Sequence, residues 1–192
     1  MQYSKRALKL AVPFASLALV LSGCGGDGGS TVTPGAQDSV NGISTQFNDA
    51  DVTFINDMSP HHTGALAMSE LAPERADSAE VKQLAEKISA AQGPELERMK
   101  DMAEAWDVEL ETGSEMAGMS MGDDVKALTP LSGPAFDREF LTRMIAHHEG
   151  ALPMAQSELG AGENPQAKQL AQEILDMQKA EIAEMEQILG SL

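Results

Sequence analysis

The chain has 192 residues and a formal net charge of −17, with 30 acidic and 13 basic side chains. This excess of acid argues against nucleic acid or anionic lipid as a partner and favours the attraction of cations, although it also serves solubility. The chain has a single cysteine, so it cannot form an internal disulfide and must be held together by its core.

The N-terminus has the pattern of an export signal. Three basic residues precede an apolar run over residues 10–21, which is too short to anchor stably in a bilayer. The run ends in Leu21-Ser22-Gly23-Cys24, a string that resembles a bacterial lipobox, in which the cysteine is lipidated and becomes the first residue of the mature protein. We therefore predict a signal peptide over residues 1–23 and lipidation of Cys24. The alternative is an ordinary signal peptide cleaved elsewhere, which would leave the thiol free.

A segment rich in Gly, Ser, Thr and Asp follows the cysteine, and we predict that residues 24–46 form a flexible tether. As a random coil of about 22 residues it would span roughly 25 Å, enough to lift a domain off a membrane. The expected location is the cell envelope, with the protein exported and held to the bilayer by its lipid on the periplasmic or extracytoplasmic face. Loss of the signal peptide would change the charge from −17 to −20, because it removes three basic and no acidic side chains.

The remainder of the chain contains an internal duplication. Shifted by 86 positions, residues 51–106 align with residues 137–192 without a gap, and 17 of the 56 aligned pairs are identical. Chance would rarely give this similarity. We predict one duplicated domain over residues 47–192, consisting of a hairpin (47–106), a methionine-rich connection (107–136) and a second hairpin (137–192).

Each copy is predicted to form a helical hairpin. The first helix covers residues 48–72, and the second begins near Asp77, which with Glu80 resembles a capping box. In the second copy Asn164 followed by proline gives the same start signal. Apolar residues at steps of three and four mark one buried face per helix. Two such hairpins should pack together, so the predicted fold class is all-α, an antiparallel four-helix bundle with pseudo-twofold symmetry.

Prolines and glycines interrupt the helical pattern at a few positions. Pro60, Pro94 and Pro153 lie within predicted helices, where we expect kinks. Gly64 and Gly150 each cost a helix roughly 1 kcal/mol relative to alanine, which indicates the close approach of another helix or of a bound group.

All four histidines lie in two copies of one string, His-His-x-Gly-Ala-Leu-x-Met. On a helix these histidines share a face with methionines three and four residues away. The second helix of each hairpin carries Gln-x-x-Glu-x-x-x-Met, and an antiparallel partner could aim that face at the histidines. The candidate metal ligands are Met58, His61, His62, Met68 and Met99 in the first copy, and Met144, His147, His148, Met154 and Met185 in the second.

The ligand types indicate which metal is expected. Thioether and imidazole without thiolate favour Cu(I), the imidazoles also allow Cu(II), and zinc rarely takes methionine. Iron sites in helical bundles use Glu-x-x-His pairs, and the sequence has none. Met116, Met119 and Met121 add a Met-x-x-Met-x-Met cluster, which resembles the flexible thioether sites of exported copper proteins. The alternatives are that the helical methionines are core packing and that this cluster is a plain linker.

The doubled motif, preceded by Phe and Met and followed by Gln-x-x-Glu-x-x-x-Met, resembles the bacterial family known as domain of unknown function 305. The resemblance covers residues 47–192. It implies an exported or membrane-attached, ferritin-like four-helix bundle with an association with copper, and it implies the same histidines and methionines as motif residues. Pro60 fits the family's frequent Met-x-Pro-His-His form, while Ala146 departs from it, which leaves open whether both halves bind metal equally.

The leading expectation is a lipid-anchored envelope protein that sequesters copper or passes it to a partner, and its expected protein partners are a copper-transfer protein or further copies of itself in a homo-oligomer. One alternative is a metal-dependent oxidase, for which Glu149 is the nearby candidate acid or base. Another is an envelope interaction module in which the histidines are structural.

Overall fold

A computed structural model describes residues 39–110 and 121–192 of the chain. The N-terminal part holds a short antiparallel hairpin, β1 (Ser39–Val40) and β2 (Ile43–Ser44), followed by helices α1 (Asp49–Ser69), α2 (Ala72–Arg75) and α3 (Ala79–Trp106). The C-terminal part holds α4 (Met121–Leu128), α5 (Pro134–Ala161) and α6 (Pro165–Ser191). Across these two ranges no helix has both the length and the apolar character to cross a bilayer.

The four long helices form an antiparallel bundle, as predicted. Helix α1 packs against α3 and α5, and α6 packs against α5 and along α3. Two ion pairs join α3 to α6: Lys87 to Glu184, at 2.6 Å, and Arg98 to Glu173. Lys87 and Glu173 are 86 residues apart, as are Arg98 and Glu184, so the two pairs occupy equivalent positions in the duplicated halves.

The helix boundaries largely follow the sequence signals, with one correction. Asn48 caps α1 through a complete capping box, and Asn164 caps α6. The predicted cap at Asp77 is wrong: Ser78 caps α3, its side chain accepting the N–H groups of Glu80 and Val81. The backbone N–H of Asp77 instead donates to a carboxylate from the other hairpin.

Helices α1, α3 and α5 continue without interruption through Pro60, Pro94 and Pro153, and the kinks expected there stay a prediction. One further expectation differs from the structure. The predicted tether extends too far towards the bundle, because the hairpin at residues 39–44 is packed onto it. The buried carbonyl of Ser44 accepts hydrogen bonds from the Trp106 indole, at 3.0 Å, and the Asn164 amide, at 2.9 Å.

Two buried aspartates at equivalent positions connect the hairpins. Asp137, at the start of α5, accepts the backbone N–H groups of residues 77–78, with a shortest distance of 2.9 Å. Asp51, at the start of α1, accepts those of residues 163–164, again at 2.9 Å. The first helix of each hairpin thus binds the free N–H groups before the second helix of the other hairpin, where negative charge is also favourable. This reciprocal capping holds α1 and α5 antiparallel.

Beside one of these caps lies a buried acid that the first copy lacks. Glu158 in α5 occupies the position of Ala72 in the first copy, and a Cβ added at Gly162 would overlap its carboxyl group. Neither Glu158 oxygen meets a donor among the residues that the structure describes. Burial, followed by the proximity and negative charge of the Asp51 carboxylate, raises the pKa of Glu158 to about 8. Glu158 is therefore protonated at neutral pH and can donate to Asp51.

Removing one reciprocal cap should destabilise the bundle. We expect Asp137→Ala to lower the free energy of unfolding by about 2 to 3 kcal/mol, because it leaves two backbone N–H groups without their charged acceptor. Urea denaturation measures the change. The exposed Asp101 on α3 provides the control, and Asp101→Ala should change stability by less than about 0.5 kcal/mol. Equal stability of the two variants would contradict a structural role for the cap.

Glu158 should make stability depend on pH in one direction. Since its pKa is raised in the folded protein, the folded state retains a proton that the unfolded state has lost, and stability falls as the pH rises from about 4.5 to about 8. Glu158→Gln keeps a donor for Asp51 at every pH. We expect the two proteins to have similar stability near pH 4.5 and the variant to be more stable by about 2 kcal/mol at pH 8.5, in denaturation series at both pH values. A constant difference across this range would contradict the assignment.

Candidate metal centre

One layer of polar side chains crosses the middle of the bundle and separates two apolar clusters. In α1, Met58 belongs to one cluster and Ala65 to the other, and the two histidines lie between them. In α3, Met99 belongs to the first cluster and Ile88 to the second, and the glutamine and glutamate of the Gln-x-x-Glu motif lie between them. We call this the central polar layer, and it consists of His61, His62, Gln92, Glu95, His147, His148, Gln178 and Glu181.

The second histidine of each motif pairs with a glutamate on the second helix of its own hairpin. His62 Nε2 lies 2.8 Å from Glu95 Oε2, and His148 Nε2 lies 2.9 Å from Glu181 Oε2. Both imidazoles are fully buried, and the glutamates nearly so. The second helix of each hairpin therefore directs its Gln-x-x-Glu face at a histidine, and the two pairs are related by the duplication.

The first histidine of each motif lies where α1 meets α5. The rings of His61 and His147 stack with their centroids 3.7 Å apart, and His147 Nε2 donates to the backbone carbonyl of His61 at 2.9 Å. Burial lowers the pKa of His61 to about 2 and that of His147 to about 4, and repulsion between neighbouring imidazoles contributes to both shifts. At neutral pH both rings are uncharged, so they can offer lone pairs to a metal ion.

A cavity of about 470 Å³ gives access to this stacked pair. Its lining includes His61, His147 and Met154, together with Arg143, which forms ion pairs with Asp124 at 2.6 Å and with Glu139 at 2.7 Å. Helix α4 contributes the aspartate, so the segment that follows the methionine-rich stretch contacts the rim of the cavity.

The candidate methionines flank the central polar layer on both sides. Met58 and Met99 are buried in one apolar cluster, whereas Met68, Met144 and Met185 are buried in the other. The thioether of Met99 accepts a hydrogen bond from the Ser59 hydroxyl at 3.5 Å. Met154 is only partly buried. Methionine side chains thus lie in the apolar clusters on both sides of the central polar layer.

Some sequence-based candidates cannot be placed in this way. Cys24, Met116 and Met119 lie outside the described residues, and Met121 begins α4, where its side chain is not described. Glu149, the candidate acid or base of an oxidase, is exposed on the surface of α5.

The central polar layer holds several buried atoms that could bind a ligand. The Nδ1 atoms of His61, His62 and His148 have no hydrogen-bond partner within the described ranges, and the same is true of both amide atoms of Gln92 and Gln178. A buried lone pair without a partner is costly, and a bound metal ion would remove that cost. Within residues 39–110 and 121–192, no three His, Cys, Asp or Glu side chains converge.

Gly150 lies at the predicted close approach. A Cβ added there would lie 3.4 Å from His61 Nε2, so the glycine leaves this nitrogen uncovered where α5 crosses α1.

The sequence-based ligand set omitted Glu95 and Glu181, although both face the histidines. The signal that could have found them is the repeat itself. In each copy the glutamate follows the second histidine of the motif by 33 residues, and both residues are conserved between the copies.

Comparison with known proteins supports the structural description. No curated protein matches the chain significantly. A DUF305 fragment from Deinococcus radiodurans is 31% identical, with a TM-score of 0.67, over 76% of this chain and 98% of that one. A DUF305 protein from Streptomyces coelicolor is 29% identical, with a TM-score of 0.66, over 74% and 93% of the two chains. CopM in its Cu(I)-bound form is 34% identical, with a TM-score of 0.65, over 73% and 96%.

The family model that matches this chain is "Domain of unknown function (DUF305)", and it covers residues 51–189. This range includes both histidine motifs and all four long helices apart from their outermost residues. The chain belongs to the DUF305 family.

Proposed function

We propose that this protein binds copper outside the cytoplasm and holds it, as Cu(I), with imidazole and thioether ligands at the central polar layer. One observation carries the proposal: imidazole Nδ1 atoms without partners are buried in the layer between two groups of methionines. Imidazole and thioether together form a ligand set that Cu(I) prefers to harder ions.

The similarity to CopM supports the choice of metal. That protein has been solved in Cu(I)-bound, Cu(II)-bound and silver-bound forms as well as without metal, and it is 32–34% identical to this chain. Silver(I) is a soft monovalent ion like Cu(I), so a site that takes both is consistent with thioether ligands. The similarity to a protein described as secreted supports a location outside the cytoplasm.

The N-terminal cysteine and the connection between the hairpins complete the proposal. A lipid on Cys24 would hold the protein at the envelope, and the methionines at 116, 119 and 121 would capture copper and deliver it. Met121 begins helix α4, which reaches the rim of the cavity through Asp124, so delivery would lead to His61 and His147. The bound copper would be stored there or passed to a partner protein or a second copy of this chain.

Removal of the imidazoles should abolish tight binding. We expect the quadruple variant H61Q/H62Q/H147Q/H148Q to bind Cu(I) at least about 100-fold more weakly, measured by competition with a chromogenic Cu(I) chelator, because it removes every imidazole ligand in the chain. Glutamine can still donate to Glu95 and Glu181, so neither carboxylate is left buried without a partner. Circular dichroism checks the fold. Unchanged affinity in a folded variant would refute the proposed site.

A glycine pair tests whether copper reaches His61. Gly150→Ala places a methyl group against His61 Nε2, whereas Gly160→Ala, in the same helix, meets no atom within 4 Å. Both changes should stabilise the helix, by up to about 1 kcal/mol. We expect only the first to weaken Cu(I) binding, by about tenfold in the same chelator assay, which corresponds to the loss of about 1.4 kcal/mol. Equal affinities would show that this nitrogen is not a ligand.

A further inference from the structure

The two buried histidine–glutamate pairs share one geometry, although the helices that form them belong to different hairpins. In both, a carboxylate oxygen meets Nε2 at 2.8 to 2.9 Å, and in both, Nδ1 of the same ring is buried without a partner. A buried hydrogen-bonded polar pair gives little net stability over apolar packing, so stability alone is a weak reason to retain two of them.

The hydrogen bond determines which ring nitrogen carries the proton. A carboxylate only accepts hydrogen bonds, so Nε2 of His62 and of His148 donates, and since Nδ1 of each ring faces no acceptor, the proton that the surroundings accommodate lies on Nε2. Nδ1 is then a bare lone pair. The alternative tautomer would leave an N–H group buried at Nδ1 without an acceptor and would place two lone pairs against each other at Nε2.

We propose that Glu95 and Glu181 are positioning residues, which fix the Nε2–H tautomer and the ring orientation of His62 and His148 so that each presents Nδ1 as a metal ligand. Carboxylate–histidine pairs of this kind orient ligands and raise their basicity in other metal sites. The assignment of tautomer concerns the metal-free protein, and only its effect on affinity rests on the proposed function.

His147 provides an internal reference. Its Nε2 donates to the carbonyl of His61 and not to a carboxylate, so its tautomer is fixed by the backbone of α1. Changes at Glu95 and Glu181 should leave His147 unaffected. The chain has only four histidines, so their ring nitrogens can be assigned individually.

The first measurement uses metal-free protein. Imidazole ¹⁵N chemical shifts at neutral pH should show Nε2–H at His62, His148 and His147. In E95Q/E181Q the neutral amide can either donate or accept, so we expect a fraction of Nδ1–H at His62 and His148 and no change at His147. An Nδ1–H or doubly protonated ring at His62 or His148 in the unaltered protein would overturn the proposal.

The second measurement is Cu(I) affinity by chelator competition. We expect E95Q/E181Q to bind about 10- to 100-fold more weakly than the unaltered protein. The control E97Q/E186Q removes the same two charges from exposed positions on the same helices and should change affinity less than about twofold. Equal affinities of the two double variants would overturn the positioning role even if the tautomers are as expected.

The two proposals can fail separately. If the quadruple histidine variant binds copper as tightly as the unaltered protein, the proposed function fails, and the ¹⁵N shifts still decide whether the carboxylates fix the rings. Should E95Q/E181Q fail to fold, the single variants E95Q and E181Q carry the same test, because each should alter its own histidine and leave the equivalent histidine as a reference.

Discussion

The antiparallel contact between α1 and α5 is the constraint on which the site depends, and the buried carboxylates of Asp51 and Asp137 fix it. Each carboxylate binds N–H groups that precede a helix of the opposite hairpin, so a slip of α1 along α5 would leave charges and donors buried without partners. With that register held, His61 meets His147 at the centre of the contact. The pairing of the other two histidines follows, because each hairpin brings its own glutamate to the same level.

The sequence predicts those parts of this arrangement that depend on a repeated pattern of residues. The 86-residue repeat identifies two hairpins, and helical spacing places the histidines and methionines on shared inward faces. What it cannot supply are contacts between distant segments. Ser78 and not Asp77 caps α3, because Asp137, which is 60 residues away, takes the N–H of Asp77. Likewise, the docking of residues 39–44 depends on Trp106 and Asn164, which are adjacent to that hairpin only in the folded bundle.

The duplicated halves have diverged most where they meet solvent. The cavity beside His147 is bordered by Arg143 and its two acidic partners, whereas the position equivalent to Arg143 in the first copy is Asp57. Access to the stacked imidazoles is therefore built by the second copy, with α4 at its rim. The interior changed less, since both His–Glu pairs and the methionines around them are retained. The two halves share the same candidate ligand types at equivalent positions but differ at the surface beside the stacked imidazoles.

The ion pairs between α3 and α6 have a consequence for how the halves recognise each other. Two first hairpins packed in the same way would set Lys87 opposite Arg98, and two second hairpins would set Glu173 opposite Glu184. Each exposed pair stabilises by less than about 1 kcal/mol, and reversing one sign costs a similar amount. Two such ion pairs nevertheless favour the packing of a first hairpin against a second hairpin over the packing of two identical hairpins. The hairpins retain the geometry of a symmetric dimer, but in charge they are complementary, like the two different subunits of a heterodimer joined in one chain.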